Sequence, residues 1–354
     1  MTTAPLITHS KPTLEAQDAR AAAVVVQSGH LVQGARVKEF ERRMALFVGA
    51  RGGVAVSSGT AALELALLAL GVECGDEVIL PSYVCAAPWL AVVRVGATPK
   101  LVDIEPDTYA IDPIQVKKSV SRRTRAIIVP HLFGLPADLT RLQALRVPLI
   151  EDCAQTLGAT ERGRPVGSVG AATVCSFYAT KLLCTGEGGM LLSRNPAILK
   201  KGRTLRGYDE EPTLEPAAFN WKMTDLQAAL GLSQLRRLRM FLGRRAAIAR
   251  AYHKALADLN AALPIVPKGR THCFYRYVIR LRWRGALDAV IARLERRGVQ
   301  CRRPVFRPIH QYLKLDGYPE SEAAYEQALS IPIYPSMTEA MVARTVAALR
   351  KELA

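Results

Sequence analysis

The sequence lacks the long apolar segments and the paired cysteines that mark membrane-spanning and disulfide-rich proteins. Among its 354 residues no stretch reaches the roughly 18 uninterrupted apolar residues of a spanning helix, and Glu64 interrupts the closest candidate, 61–72. The N-terminal residues contain no apolar core of the secretory type. The seven cysteines form no CxxC pair, which disfavours a disulfide framework and a structural zinc site, and no metal is expected. These absences predict a cytoplasmic protein with reduced thiols and no membrane contact.

Several motifs that bind phosphate or activate nucleophiles are also missing. The chain has no GxxxxGK[ST] loop, and no GxGxxG follows its first predicted strand. HExxH and GxSxG are absent as well. A P-loop NTPase, a typical dinucleotide dehydrogenase, a zincin and an α/β-hydrolase therefore all lose support.

Acidic residues are scarce relative to basic ones. The chain has 48 Lys and Arg against 31 Asp and Glu, which gives a formal net charge of +17. This charge fits nucleic-acid binding, a polyanionic small substrate or an arginine-rich proteome. The basic residues are spread along the chain, with no basic tail and no basic stripe interleaved with aromatic residues. Nucleic acid is therefore a disfavoured partner.

The middle of the chain alternates strand-like and helix-like segments. Strands are predicted at 53–57, 77–80, 99–103, 125–130, 148–152, 173–177 and 190–193. Helices are predicted at 60–70, 87–95 and 138–145. This rhythm predicts an α/β fold with a mainly parallel sheet covered by helices on both faces.

From residue 224 the pattern changes to a long helical segment at 224–256, a strand at 273–281 and helices at 287–297 and 338–351. This second pattern is typical of a smaller α+β unit. We therefore expect an N-terminal arm at 1–30, a large α/β domain at 31–235 and a small C-terminal α+β domain at 236–354.

Three polar motifs follow predicted strands, at the edge where open α/β sheets bind ligands. SSGTA (57–61) leads into a helix, whose N-terminus could receive a phosphate or simply be capped. EDCAQ (151–155) places carboxylates at a strand end. They could bind a cationic ligand, form a salt bridge or cap a helix. SFYATK (176–181) places a lysine beside the glycine-rich turn 185–189, as a nucleophile or as a solvated charge.

Together these motifs match the needs of pyridoxal phosphate. A helix start holds the phosphate, a carboxylate keeps the pyridine nitrogen protonated, and a lysine binds the aldehyde and moves a proton. The sequence therefore predicts a site for this cofactor.

The chain also resembles the DegT/StrS family of pyridoxal-phosphate-dependent sugar aminotransferases, over roughly residues 30–352. The matching segments are SGTAALELAL (58–67), GDEVILPS (75–82), VGATPKLVDIEPDTYAID (95–112), PHLFGLPAD (130–138), IEDCAQTLGA (150–159), SFYATKLLCTGEGGM (176–190), FNWKMTDLQAALGLSQL (219–235) and LSIPIYPSMTE (329–339). The resemblance implies the type I fold of these enzymes, with a mainly parallel seven-stranded sheet in the large domain.

The resemblance assigns roles to individual residues. Lys181 is implied as the lysine that binds the cofactor and acts as general acid and base, and Asp152 as the partner of the pyridine nitrogen. The remaining cofactor contacts are implied for Gly59, Thr60, Ala61, Ser176 and Gln155, with Asn220 reaching the phosphate of the neighbouring subunit. A homodimer with shared active sites follows from the last of these roles. Tyr178, Glu187, Lys222 and His310 are the candidates for substrate contact.

Three positions depart from the family pattern. Cys85 stands where an aromatic residue usually stacks on the cofactor ring, so either Cys85 covers the ring or Tyr83 or Trp89 takes over. Lys222 stands where arginine is frequent, and a lysine offers a point charge instead of a bidentate fork. The segment 305–315, which holds His310, lies in the region that varies most in the family.

The resemblance implies an aminotransferase that moves an amino group from an amino acid, with glutamate favoured, to a nucleotide-linked keto-sugar, in amino sugar or polysaccharide biosynthesis. An aminotransferase for a cyclitol or another cyclic ketone is one alternative. A non-catalytic regulator that binds nucleic acid is the other, although an intact Lys181 and Asp152 argue against it.

Overall fold

The computed structural model describes residues 5–208, 215–284 and 287–353. The helices are α1 (Ala16–Ser28), α2 (Ala35–Val48), α3 (Gly59–Ala69), α4 (Ala87–Arg94), α5 (Pro113–Ser119), α6 (Leu139–Gln143), α7 (Pro196–Arg206), α8 (Asp225–Leu256), α9 (Leu287–Arg296), α10 (Ile309–Leu313), α11 (Pro319–Gln327) and α12 (Glu339–Leu353). The strands are β1 (Gly52–Val56), β2 (Glu77–Pro81), β3 (Thr98–Val102), β4 (Thr124–Pro130), β5 (Leu149–Asp152), β6 (Thr160–Glu161), β7 (Arg164–Pro165), β8 (Ala172–Ser176), β9 (Gly189–Ser193), β10 (Ala261–Ala262), β11 (Tyr277–Leu281) and β12 (Ala328–Ile331).

A seven-stranded sheet forms the centre of the large α/β part, in the order β1-β9-β8-β5-β4-β2-β3. Neighbouring strands from β3 to β8 pair in parallel, and β9 runs antiparallel to both β8 and β1. The predicted mainly parallel seven-stranded sheet is therefore confirmed. The inner strands β2 and β5 are buried along their whole length, as expected of a parallel sheet covered on both faces, whereas the edge strand β3 is mostly not buried.

Helix α3 illustrates how the sequence determines the position of the site. Its residues from Ala61 to Leu67 are all buried, as the apolar character all round the helix predicts. Ser58 caps its N-terminus by accepting a hydrogen bond from the Ala61 amide at 3.1 Å. The helix begins directly after β1, so its N-terminus lies at the carboxyl edge of the sheet.

The C-terminal part has a three-stranded sheet, β10-β11-β12, with its own apolar core. Helix α8 connects the two sheets and runs from Asp225 to Leu256 without interruption. It therefore passes through the boundary expected at residue 235, and the division into domains stays a prediction.

The N-terminal segment packs against both parts. Ile7 is buried in the C-terminal core and pairs with Val299 in a parallel bridge. Helix α1 packs along α8, where Asp18 is buried. Among the described residues, no helix is long and apolar enough to cross a lipid bilayer.

Candidate active site

Asp152 ends β5 at the carboxyl edge of the central sheet and is buried, with 8% of its surface exposed. Its Oδ1 accepts a hydrogen bond from the Ala154 amide at 3.0 Å. Burial raises the pKa of its carboxyl group, while the Ala154 amide and the positive charge of Lys181 oppose this rise. Within the described ranges no cationic side chain forms an ion pair with Asp152, so its charge calls for a cation supplied by a ligand.

Lys181 lies in the turn that follows β8, where its amide donates to the Tyr178 carbonyl at 2.8 Å. Its Nζ is 5.3 Å from the centroid of the Tyr275 ring. Its charge also acts on the Asp152 carboxyl and on the Cys85 thiol. Lys181 therefore points toward the strand end that carries Asp152.

The start of α3 lies very close to the end of β8 and to the start of β9, and glycine at positions 59 and 189 permits both contacts. A Cβ on Gly59 would lie 2.8 Å from the Cβ of Ser176, and a Cβ on Gly189 would lie 2.2 Å from the Ser58 carbonyl oxygen. The amides of Gly59 and Thr60 belong to the first turn of α3, where helix geometry provides no acceptor. These amides and the Ser176 hydroxyl form a cradle that suits a phosphate.

Gln155 and Cys85 line one cavity of about 660 Å³. The Oε1 of Gln155 accepts a hydrogen bond from the Phe133 amide at 2.9 Å, which fixes the orientation of the side-chain amide. Cys85 is exposed at the wall of this cavity. Although Cys85 is open to the cavity, the many protein atoms around the thiol displace water and raise its pKa, and the charge of Lys181 opposes this rise.

The two aromatic alternatives to Cys85 are placed differently. Tyr83 is fully buried, its hydroxyl donates to the Ala324 carbonyl at 3.3 Å, and its ring stacks on Tyr109. It therefore belongs to the core and does not line the cavity. Trp89 is partly buried on α4, and its indole Nε1 has no hydrogen-bond partner among the described residues.

Asn220 is exposed in a segment that is tied to the same edge of the sheet. The Ser57 amide donates to the Trp221 carbonyl at 2.7 Å, and Lys222 forms a bridge with Val56. Phe219 stacks on Trp221 and leaves 54% of its own surface exposed. Asn220 thus projects from a rigid support toward the outside of the chain.

The candidates for substrate contact do not converge on one place. Tyr178 is exposed and directly precedes the lysine turn, and Glu187 is exposed in the glycine-rich turn. The Nζ of Lys222 lies 5.7 Å from the centroid of the Tyr208 ring.

His310 lines a second cavity with Glu322, and both of its ring nitrogens are engaged. Nδ1 lies 2.6 Å from the Ser82 hydroxyl, and Nε2 lies 2.9 Å from a carboxylate oxygen of Glu322. These contacts favour a structural role for the ring, and its contact with substrate stays a prediction.

The sequence reasoning missed Tyr275, whose ring lies next to Lys181, and Arg276, which lies next to the same ring. Burial opposes ionisation of the Tyr275 hydroxyl, but Lys181, Arg276 and a hydrogen bond with Thr180 outweigh burial and lower its pKa. Arg276 places its guanidinium 5.3 Å from the centroid of the same ring and lines the cavity of Gln155 and Cys85. Neither residue lies in a motif, so no local signal could have identified them.

A buried group beside Asp152 contains three residue types that bind metals: His131, Glu151 and Cys153. Glu151 accepts hydrogen bonds from three backbone amides, those of Gly167, Val169 and Gly170. The Ala137 amide donates to Nδ1 of His131, so Nε2 carries the proton and faces Glu151 at 3.2 Å. The ligand atoms of His131 and Glu151 are already hydrogen-bonded within the protein, and they support the end of β5.

The residues fit pyridoxal phosphate on three counts. Asp152 is a buried carboxylate in need of a cation, which a protonated pyridine nitrogen provides. Lys181 lies close enough to Asp152 to affect its ionisation. Gly59 lets the start of α3 lie against Ser176, which brings the free amides of the first turn and the Ser176 hydroxyl together for a phosphate.

Comparisons with known proteins agree with this fit. The sequence profile of the DegT/DnrJ/EryC1/StrS aminotransferase family matches residues 12–350. A GDP-perosamine synthase of Caulobacter vibrioides is 36% identical over 337 residues, which cover 90% of this chain and 91% of that protein.

Solved structures with similar folds include two bacterial aminotransferases. TlmJ from Streptoalloteichus hindustanus superimposes with a TM-score of 0.91 at 32% identity, covering 98% of each chain. The putative sugar aminotransferase Spr1654 from Streptococcus pneumoniae, in its PMP form, superimposes with a TM-score of 0.93 at 27% identity, covering 98% of this chain and 97% of that one.

Proposed function

The chain belongs to the DegT/DnrJ/EryC1/StrS aminotransferase family, and we propose that it transfers an amino group from an amino acid to a nucleotide-linked keto-sugar. Its cofactor is pyridoxal phosphate. Glutamate is the donor that we favour. The similarity to a GDP-perosamine synthase supports an acceptor that is carried by a nucleotide.

One observation carries the proposal: Lys181 and Asp152 meet at the ends of neighbouring parallel strands. Asp152 of β5 pairs with Val174 of β8, and Lys181 follows β8 by a short turn. A lysine and a buried carboxylate that follow neighbouring strands and interact electrostatically are what a transaminase needs, and a purely regulatory protein has no use for them.

We assign the following tasks to the residues of this chain. When bound, pyridoxal phosphate supplies the aldehyde that takes up the amino group and a protonated ring that accepts electrons. Asp152 holds the proton on the ring nitrogen, and the start of α3 with Ser176 binds the phosphate. Nζ of Lys181 removes the proton from the α-carbon of the donor, and in the second half-reaction it delivers a proton to the sugar carbon that receives the amino group.

We further infer that two copies of the chain share their active sites. Asn220 is exposed on a rigid segment, and its neighbour Phe219 exposes a large apolar surface that a partner would cover. In the proposed homodimer, Asn220 of one subunit reaches the phosphate bound by the other.

The proposal is tested by the mass spectrum of the product. The cofactor-loaded enzyme is given nitrogen-15 glutamate and, in separate reactions, GDP-, UDP- and dTDP-linked keto-sugars and a ketone derived from a cyclitol. We expect the label in an amino sugar that remains linked to its nucleotide. Label in the cyclitol product alone would overturn the acceptor, and no transfer to any ketone would overturn the function.

Lys181→Arg provides the matched control, because it keeps the charge without a nucleophilic amine. It should transfer no label while folding normally. Borohydride reduction of the wild-type enzyme should attach the cofactor covalently to a peptide that contains Lys181, and attachment to another lysine would refute the assigned role.

A further inference from the structure

Arg276 carries a buried nitrogen without a partner at the wall of the cavity that Gln155 and Cys85 line. Its Nε forms no hydrogen bond with any described residue, although it is shielded from solvent. Its Nη1 contacts the ring of His9 at 3.1 Å and 3.3 Å. Buried guanidinium donors are normally hydrogen-bonded, so we expect a ligand in the cavity to supply an acceptor for the Nε of Arg276.

A second arginine adds to the charge at this place. Arg302 lines the same cavity and is exposed there, and its backbone is fixed by pairing with Ser330. Both guanidinium groups lie near His9, whose pKa is lowered to about 3 by burial and by these two charges. His9 is therefore neutral at physiological pH and compensates neither charge.

Acidic residues in the cavity do not neutralise the pair. Asp288 is engaged by Arg303, and Glu295 accepts a hydrogen bond from Gln300 at 3.4 Å. In the part of the chain that the structure describes, no carboxylate forms an ion pair with Arg276 or Arg302. The two cations thus stand together on the cavity wall without a counter-ion.

We propose that Arg276 and Arg302 form a subsite for the carboxylate groups of the amino donor. The proposal rests on the proposed function, because it names the residues that select the donor. Two adjacent guanidinium groups suit a dicarboxylic amino acid, since each offers a planar fork of donors to one carboxylate.

The position of Arg276 favours the donor over the diphosphate of the acceptor. The Arg276 guanidinium and the Lys181 Nζ each lie 5.3 Å from the centroid of the Tyr275 ring, so the two groups are no more than twice that distance apart. The α-carboxylate of an amino acid is attached to the carbon that carries the reacting nitrogen, so its binding group must lie close to Lys181. The diphosphate of a nucleotide sugar is separated from its keto carbon by the sugar ring.

A binding experiment tests the subsite without turnover. Glutarate has two carboxylates and no amino group, and its affinity for the cofactor-loaded enzyme is measured by titration calorimetry. Arg276→Gln and Arg302→Gln should each raise its Kd about tenfold or more, because each removes a charge-assisted contact. Arg276→Lys should fall between wild type and Arg276→Gln, because it keeps the charge and loses the fork.

Arg122→Gln serves as the matched control, because Arg122 is exposed and its removal lowers the net charge by the same amount. It should bind glutarate as the wild type does. Arg302→Gln should fold normally, because the Arg302 side chain forms no hydrogen bond with the described residues. It therefore keeps the test informative if Arg276→Gln fails to fold. Unchanged glutarate affinity in both Arg276→Gln and Arg302→Gln would overturn the proposal.

Measuring the two half-reactions separately shows whether the arginines bind the donor or the acceptor. It also distinguishes failure of this inference from failure of the proposed function. With glutamate alone, the Arg276 and Arg302 variants should need a higher concentration for half-maximal loss of the cofactor absorption band, whereas the second half-reaction with nucleotide sugar should be unaffected. A defect confined to the second half-reaction would assign the pair to the diphosphate and overturn the inference. Failure of the wild type with every amino acid would refute the proposed function, while arginine-dependent binding of glutarate would still support the subsite.

Discussion

Asp152 is the residue whose charge decides whether the site can work. Its burial disfavours the carboxylate, so the anion depends on a proton held on the cofactor ring. We expect Asp152→Asn to lower turnover about a hundredfold or more, because the neutral amide no longer stabilises a protonated ring nitrogen. Steady-state kinetics with saturating cofactor measure this loss.

Asp112→Asn is the control for this substitution. Asp112 caps α5 by accepting from the Ile114 amide at 2.8 Å, and asparagine caps helices equally well. It should therefore behave as wild type. Near-normal turnover of Asp152→Asn would mean that this carboxylate does not face the ring nitrogen.

Cys85 can be tested by its reactivity, because only Cys74 and Cys85 among the seven cysteines are exposed. If Cys85 covers the cofactor ring, iodoacetamide should modify it only after the cofactor is removed. Its rate should increase with pH beyond neutrality, because the thiolate is the reactive form and burial raises the pKa of this thiol. Mass spectrometry of the peptides provides the measurement.

Cys74 lies on the surface and should react equally in both forms of the enzyme. Equal modification of Cys85 with and without cofactor would transfer the stacking role to another side chain. Trp89 is then the remaining candidate, because Tyr83 is confined to the core.

At the scale of elements, a buried polar cluster joins α1 to α8. Asp18 accepts a hydrogen bond from the Ser233 hydroxyl at 2.6 Å and from Gln234 at 3.0 Å, and it forms an ion pair with Arg237. Burial would raise the pKa of Asp18, but the hydrogen bonds from Ser233 and Arg237 outweigh burial and lower it. The carboxylate therefore stabilises the fold in its ionised form.

This cluster predicts a pH-dependent stability. A carboxyl group whose pKa is lowered by folding contributes stability above its unfolded pKa, and the contribution is lost as the pH falls through the folded pKa. Asp18→Asn should lower the free energy of unfolding by up to about 3 kcal/mol at neutral pH, because Arg237 loses its buried carboxylate partner and keeps only the half-exposed Glu15 at 2.9 Å. The variant should also flatten the decrease in stability between about pH 5 and the acid limit.

Urea denaturation at fixed protein and cofactor concentration measures both effects. Asp316→Asn removes the charge of an exposed aspartate and should reproduce the wild-type pH profile. A profile for Asp18→Asn as steep as that of the wild type would show that the slope arises elsewhere.

At the scale of the whole molecule, the proposed dimer makes a prediction about mixed subunits. Lys181→Ala and Asn220→Ala chains are each expected to be inactive or strongly impaired. A heterodimer of the two contains one site with an intact lysine from one chain and an intact asparagine from the other. Mixing the purified variants should therefore restore activity, measured as label transfer from nitrogen-15 glutamate.

Subunit exchange is followed independently with two affinity tags. Exchange without recovery of activity, together with full activity of Asn220→Ala alone, would refute the shared site. Asn195→Ala is a suitable control, because Asn195 only caps α7 through the Ala197 amide. This variant should be active by itself, and mixing it with Lys181→Ala should leave the activity per Asn195→Ala chain unchanged.

The sequence by itself determined the central elements and the first residues of the site. Apolar runs predicted the strands of the central sheet to within one or two residues, because a strand buried on both faces must be continuously apolar. Asp152 and Lys181 follow such runs directly, so their placement at the carboxyl edge depends only on local structure and on the parallel pairing of the strands.

The tertiary structure alone decided which other side chains reach that edge. The segment 273–276 was predicted as the start of a strand, but β11 begins at Tyr277, and Phe274 adopts a positive φ of 49°. The segment instead docks on the turn after β4, where the Cys273 amide donates to the Gly134 carbonyl at 2.9 Å and the Arg276 amide donates to the Phe133 carbonyl at 3.0 Å. This docking brings Tyr275 to Lys181 and Arg276 to the ring of Tyr275. Contacts between residues so far apart in the chain depend on packing, and no local periodicity encodes them.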